Sequence, residues 1–331
     1  MAETDIIPLI VIAGPTASGK SSTAAELARL IGGEVISADS MQVYKYMDIG
    51  SAKVTEEERL GVPHHMIDVA EPYEAFDVTR YAEEAKAAIR SVWQRGHRPI
   101  LCGGTGFYIQ AAVYDIDFEE TRADPALRES YSRIARENGS EALHALLEKV
   151  DPVSAMAIHP HNLKRVIRAL EYFEETGRSI TENNLATKAG KRSPYDVAFF
   201  VLTDDRQALY DRIDRRVDTM VAAGLFDEVA RLKEMGLDRQ MVSMQGIGYK
   251  EILDYYDGLM TYDETVEKIK TASRHYAKRQ LTWFKHQESA NWIDIRDCGR
   301  DAIKIAERIA GSLGLLHRDE KPDRFIGTKT D

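Results

Sequence analysis

The stretch LIVIAGPTASGKSS, Leu9 to Ser22, decides the fold. Its opening residues are apolar and rich in β-branched side chains, with no polar alternation, as in a parallel strand buried on both faces. From Gly14 to Ser21 it reads G-x-x-x-x-G-K-S, and a helical pattern opens at Ser21 and runs to Ile31. A strand, a glycine loop and a helix in that order build an anion cradle. The loop N–H groups and the positive end of the helix converge on phosphate oxygens. Gly14, Pro15, Thr16, Ala17, Ser18, Gly19, Lys20 and Ser21 are therefore the expected phosphate-binding residues. Lys20 adds a point charge for the outer phosphate, and the Ser21 hydroxyl is placed to ligate Mg²⁺.

The remaining composition bounds what surrounds this cradle. At 331 residues there is room for one large domain or two ordinary ones. No apolar run reaches membrane-spanning length. The start, MAETDIIPL, is acidic and has no basic segment, so no export signal is expected. Cys102 and Cys298 form no C-x-x-C pair, so neither a zinc site nor a disulfide framework is expected. A cytoplasmic, membrane-free monomer is the expectation. The net charge of −10 argues mildly against nucleic acid, so any RNA contact must come from a local basic surface.

Working outward, Glu34–Ser37 reads as a second strand, and Asp39 follows at its carboxyl end, where open α/β sheets place their ligands. Asp39 is expected to face the cradle, with helix capping as the plainer reading. Pro63–Val69 reads as a short strand, ending near an Asp68 that either helps hold a metal or caps a helix. His97–Cys102 is another buried strand, and it runs into Gly103-Gly104-Thr105-Gly106. The glycines let backbone approach a ligand, and Thr105 adds a hydroxyl beside the phosphates.

From 115 to 194 strand signals vanish and helix signals dominate. We read an all-helical insertion into a parallel sheet flanked by helices, the P-loop NTPase/kinase-like α/β architecture. The core spans 1–114 and 195–315, and a polar tail covers 316–331. In the insertion, Lys164, Arg165 and Arg168 share one helical face, and Leu163, Ile167 and Leu170 share another. Tyr195–Leu202 returns to strand. In the helix after it, Leu209, Ile213, Val217 and Met220 form a buried stripe. Arg216 leans inward toward an anionic partner, while Arg215 points away with Arg212 and Asp211. The loop Ser243–Lys250 carries Gln245 and Lys250. The last helix has no acid between Lys268 and His286, and Lys270, Arg274 and Lys278 make a basic stripe, a footprint for a polyanion.

These parts allow a kinase, in which phosphorus moves, or an alkyl transferase, in which diphosphate leaves and carbon moves. A GTPase is disfavoured because no N-K-x-D signature is present. A nucleotide-dependent RNA-binding protein without transfer chemistry stays open.

Six segments separate these choices: GPTASGKS at 14–21, SADSMQVYKYMDIGSAK at 37–53, HHMID at 64–68, GGTGFY at 103–108, HNLKRVIRALEYFEETGRSIT at 161–181 and QGIGYKE at 245–251. In order and over nearly the whole chain, they resemble the motifs of the bacterial tRNA isopentenyltransferase (tRNA dimethylallyltransferase) family. Tyr46 stands where the family usually has glycine, and Ser51 where threonine is usual. The resemblance implies transfer of a dimethylallyl group from dimethylallyl diphosphate to N6 of the adenosine 3′ of the tRNA anticodon. It implies Asp39 as general base, Thr105 beside the breaking bond, and Arg216 and Lys20 on the departing diphosphate with Mg²⁺ on Ser21. Asp39, Ser40, Met41 and Gln42 would meet the flipped base. Lys164, Arg165, Arg168, Gln245, Lys250, Lys270, Arg274 and Lys278 would hold the anticodon stem-loop. Two alternatives remain: an isopentenyltransferase of free adenine nucleotides, and a P-loop small-molecule kinase.

Overall fold

Strands β1 (Ile7–Ala13), β2 (Gly33–Ala38), β3 (His64–His65), β4 (Arg98–Gly103), β5 (Tyr195–Thr203) and β6 (Asn291–Asp294) form one parallel sheet in the order β3-β2-β4-β1-β5-β6. The computed structural model describes residues 6–114, 125–183, 192–287 and 289–316. The chain divides into two compact units, one made of residues 1–113 with 194–331 and the other of residues 114–193.

In the first unit β1 is central, and Leu9–Ala13 are fully or nearly fully buried. That explains a strand without alternation, because helices cover both faces of a parallel sheet. Helices α1 (Lys20–Ile31), α2 (Val78–Gln94) and α3 (Gly106–Val113) provide the early crossovers. Ala13 and Ala38 both pair with Gly103, so β1, β4 and β2 end side by side. Each continues into a segment of the site: the cradle, Gly104–Gly106, or Asp39.

Three expectations need correction. The strand expected over Pro63–Val69 shrinks to His64–His65, because Met66 and Asp68 take positive φ values of 62° and 56°, which break an extended run. Asp68 neither caps a helix nor joins a carboxylate cluster. Its Oδ1 accepts from Lys53 Nζ at 2.6 Å. The basic helix is also not the last one, since β6 and a further helix at Ala302–Ser312 follow it. The expected polar tail lies outside the described residues from 317 onward.

The second unit contains α4 (Pro125–Asn138), α5 (Ser140–Val150), α6 (Pro152–Ala157) and α7 (Leu163–Thr176). Its core joins Leu143, Leu147, Ala155, Val166, Ala169 and Leu170, with Leu163 and Ile167 partly buried against it. Glu171 is buried on α7, where Arg128 meets both its oxygens at 2.8 Å. Lys164 and Arg165 are exposed, and Arg168 is half-buried.

Candidate active site

Two cavities open at the carboxyl ends of β1, β2 and β4. The smaller, about 50 Å³, is lined by Thr16, Lys20, Ser21, Cys102 and Gln280 among others. The larger, about 410 Å³, is mostly apolar, with Phe76, Met220, Leu225, Val242, Ile247 and Ile269 on its walls. Thr16, Asp39, Ser51, Arg216 and Tyr276 line both, so the two spaces meet there.

The cradle has the expected form. Gly19 stands at the helix start with φ 83°, a left-handed conformation that suits glycine, and α1 begins at Lys20. The first N–H groups of α1 have no intrahelical acceptor, and Lys20 and Ser21 at that end line the smaller cavity. Ser18 Oγ is buried with no hydrogen-bond partner among the described residues. Lys20 donates to the Pro15 carbonyl at 3.4 Å. Burial lowers its pKa first and the like charge of Arg216 second, while Cys102 and Asp39 oppose the shift. The Cys102 thiol is pushed up to about 12 by burial, so it is a packed neutral group.

Asp39 makes a turn rather than a helix cap. Its Oδ1 accepts the Met41 N–H at 2.9 Å, which leaves Oδ2 for the cavities. Thr105 stands behind it, accepting the Ser40 N–H at 3.2 Å. Arg216 reaches the junction as expected. Burial lowers its pKa, opposed by the charges of Asp39 and Glu58, and a guanidinium stays protonated there.

Among the described residues no group of three or more His, Cys, Asp or Glu side chains is placed to hold a metal ion. The Ser21 hydroxyl and the Asp39 carboxylate do line the smaller cavity. An oxygen-only donor set of this kind fits Mg²⁺, which is held mainly by substrate phosphate oxygens and water.

Several expected residues are placed differently. Gln42 is buried: its Oε1 accepts from Ser37 Oγ at 3.0 Å and its Nε2 donates to the Ala52 carbonyl at 3.2 Å. These bonds take up part of its amide, and the side chain also lines the smaller cavity beside Asp39. Met41, Gln245 and Lys250 line the larger cavity, with Gln245 Nε2 donating to the Arg239 carbonyl. Arg212 does not point away. On α8 (Arg206–Ala222) it turns to Asp204 and donates from Nε to the Ala17 carbonyl at 2.9 Å.

The basic stripe is largely neutralised. Helices α9 (Leu225–Glu234) and α10 (Tyr249–Tyr256) lead into α11 (Tyr262–Phe284), which carries it. Lys270 pairs with Asp218 at 2.8 Å and Arg274 with Asp214 at 2.5 Å, and both acids belong to α8. The acid-free span after Lys268 thus finds acids on the neighbouring helix, and Lys270 adds a 3.2 Å pair with Glu267 one turn back on its own. Lys278 stays exposed.

The glycines of Gly103–Gly106 also serve another purpose than expected. A Cβ on Gly104 would stand 2.2 Å from Gln280 Nε2, and one on Gly106 would stand 2.3 Å from Trp283. Gly104 and Gly106 thus admit α11, while Gly103 lies against Ala38 and lines the smaller cavity.

Four residues escaped the sequence reading. Tyr276 and Gln280 reach the junction from α11, and Arg279 lies over the Tyr276 ring at 5.6 Å at the edge of the larger cavity. Glu228 holds the wall at 48–50 by accepting from the amides of Asp48, Ile49 and Gly50. Gln280 had a signal: it falls on the apolar stripe of Ile269, Ala277 and Phe284, where a polar side chain needs buried partners.

The geometry can be set beside known proteins. Residues 42–287 match the family model described as IPP transferase. A tRNA dimethylallyltransferase of Lachnoclostridium phytofermentans is 50% identical over 302 residues, 91% of this chain and 96% of that one. One from Geobacillus kaustophilus is 49% identical over 308 residues, 92% and 97% of the two chains. The crystal structure of the full-length tRNA isopentenylpyrophosphate transferase of Bacillus halodurans superposes with a TM-score of 0.69 at 44% identity, covering 93% of this chain and 96% of that one. A eukaryotic dimethylallyltransferase acting on tRNA gives 0.76 at 29% identity, covering 96% and 82%. On matches of this length and identity, the chain belongs to the IPP transferase family.

Proposed function

We propose that this chain is a tRNA dimethylallyltransferase, moving a five-carbon prenyl group from dimethylallyl diphosphate to N6 of the adenosine 3′ of the anticodon. One observation carries the reading: a carboxylate, Asp39, stands where a phosphate cradle opens into a larger, mostly apolar cavity of about 410 Å³. A kinase needs the cradle and the base. It has less use for a large apolar space beyond them.

The residues divide the work as follows. The α1 N-terminus, Lys20 and Arg216 hold the diphosphate and stabilise the charge that grows on it as the C–O bond breaks. Bound Mg²⁺ at Ser21 would supply further neutralisation of that charge. The adenosine N6 is a poor nucleophile because its lone pair is delocalised into the purine. Asp39 accepts an N6 proton as the N–C bond forms. Thr105, held by Ser40, stands beside the breaking bond. The apolar walls exclude water, which would otherwise capture the allylic carbon. The base reaches this pocket by leaving the anticodon stack. Lys164 and Arg165 of the helical unit, with Lys250 and Lys278 of the other, supply the phosphate contacts.

The test is an acceptor competition with isotopically labelled dimethylallyl diphosphate and γ-labelled ATP, offered tRNA, AMP or ADP. Label in tRNA supports the reading. Label only in the free nucleotide sinks it, as does γ-phosphate loss from ATP without prenyl transfer.

A further inference from the structure

Gln280 lies far along the chain from both glycine loops, yet its amide joins them. Its Oε1 accepts the Thr16 N–H at 2.9 Å, and its Nε2 donates to the Gly104 carbonyl at 2.9 Å. The side chain is 5% exposed, so both bonds are made away from water. The close approach is built in, since any side chain at Gly104 would collide with that amide.

One helical turn earlier, Tyr276 lines both cavities, with Thr105 and Gln280 as its polar neighbours. Thr105 in turn accepts the Ser40 N–H at 3.2 Å and donates to Ser40 Oγ at 3.4 Å. Polar groups thus follow one another from Thr16 and Gln280, which are hydrogen-bonded, past Tyr276 to the hydrogen-bonded pair Thr105 and Ser40. The series begins in the phosphate cradle and ends beside Asp39. Two of its members, Gln280 and Tyr276, belong to α11, which contributes no loop of its own to the junction. Burial, with the charge of Asp39, raises the Tyr276 pKa to about 12. The hydroxyl therefore remains a neutral hydrogen-bonding link at working pH.

We propose that Gln280 and Tyr276 are positioning residues that fix the cradle against the Asp39–Thr105 segment, and so set the distance between leaving diphosphate and acceptor nitrogen. The inference rests on the prenyl-transfer reading of the site. A side chain that only filled space would need no amide here. A buried amide with partners on two separate loops is costly to replace and specific in direction. The chain also commits the Thr16 N–H to protein, which leaves the helix-start amides for phosphate.

Gln280→Glu isolates the effect. The carboxylate can still accept from Thr16, but it offers Gly104 a donor only when protonated. Tyr276 and, across the small cavity, Lys20, Asp39, Cys102 and Arg216 face this position, so the wild-type pH profile must be subtracted. We expect kcat for tRNA prenylation to fall by about 10- to 100-fold at pH 8, the scale of a misplaced reacting group. It should recover relative to wild type as pH is lowered, because burial raises a carboxyl pKa. Affinity for dimethylallyl diphosphate, from direct binding, should change by less than about threefold, since the helix-start amides that hold the phosphates are untouched. Tyr276→Phe should lower kcat by about tenfold with KM little changed, the scale of a lost polar link of about 1.4 kcal/mol. It provides the same kcat-against-KM split should the glutamate variant not fold. Unchanged kcat in the folded variants overturns the inference, as does a parallel loss of kcat and diphosphate affinity without recovery at low pH. A wild type that prenylates no tRNA overturns the functional reading itself. A working wild type with unaltered variants overturns only the positioning role.

Discussion

The carboxylate of Glu228 stands 2.7 Å from the backbone nitrogen of Ile49. It also accepts from the amides of Asp48 at 2.9 Å and Gly50 at 3.1 Å, and from the Tyr249 hydroxyl at 2.8 Å. One buried side chain thus organises the segment whose Gly50, Ser51 and Ala52 wall the larger cavity. Glu228→Gln replaces one acceptor oxygen by a donor facing other donors. A loss of about 2–3 kcal/mol in unfolding free energy is expected. Urea denaturation measures it, and an unchanged midpoint would remove the claim.

Asp39→Asn keeps the size of the side chain and removes its basicity. Turnover should fall by about 10²- to 10⁴-fold, the usual worth of a positioned general base. Filter binding of tRNA should be retained within a few-fold. Equal turnover in the variant would take the proton-accepting role from Asp39.

Lys20 gives a pH signature. Burial and the neighbouring Arg216 hold its pKa below the ordinary 10.5, so the folded protein disfavours its charged form. That cost is present at neutral pH and is relieved as pH rises through the lowered pKa. Diphosphate affinity should therefore fade on the alkaline side before pH 10.5, and Lys20→Met should lose affinity while gaining substrate-free thermal stability. A Lys20→Met variant that melts earlier than wild type would contradict the sign.

Asp204 anchors the cradle from behind through Arg212 and Ala17. Burial pushes its pKa up, but hydrogen bonds from Arg300 and Arg212 more than offset this and hold it at about 2, below its ordinary 3.8. The stability it contributes is complete above pH 3.8 and lost as pH falls toward 2. Asp204→Asn should cost about 2 kcal/mol at neutral pH and flatten the acid limb of the stability curve. An identical acid limb in the variant would show that the pairs contribute nothing.

Charge reversal distinguishes the members of the α11 stripe. Lys278→Glu should lower tRNA affinity and reduce the salt slope by about one unit. Arg274→Glu faces Asp214 and should instead lower the melting temperature. Equal salt slopes for wild type and Lys278→Glu would mark Lys278 as solvated surface.

The cradle was legible because its logic is local: spacing alone sets Gly19, Lys20 and Ser21 at a helix start. Asp39 and Thr105 were legible because parallel strands bring their carboxyl ends together. What escaped depended on partners distant in sequence. Nothing near Gln280 announces Thr16 or Gly104, and nothing near Lys270 and Arg274 announces Asp218 and Asp214. The burial of Gln42 was not legible because its partners are carbonyls nine and ten residues on, a turn that no period encodes. The strand at Asn291–Asp294 is four residues long, too short to show alternation. Tyr46, the position where the resembling family carries glycine, has φ 65°, so the substitution leaves the backbone conformation that glycine favours in place.

Because the cross-brace comes from α11, the order of synthesis governs when the enzyme can work. Ser21 leaves the ribosome long before Phe284, by on the order of ten seconds to a minute at ordinary elongation rates. Through that interval a growing polypeptide holds a pyrophosphate-shaped loop without the far helix that sets it in place. Newborn chains therefore lack the Gln280 brace between the two glycine loops until nearly all of the protein has been made.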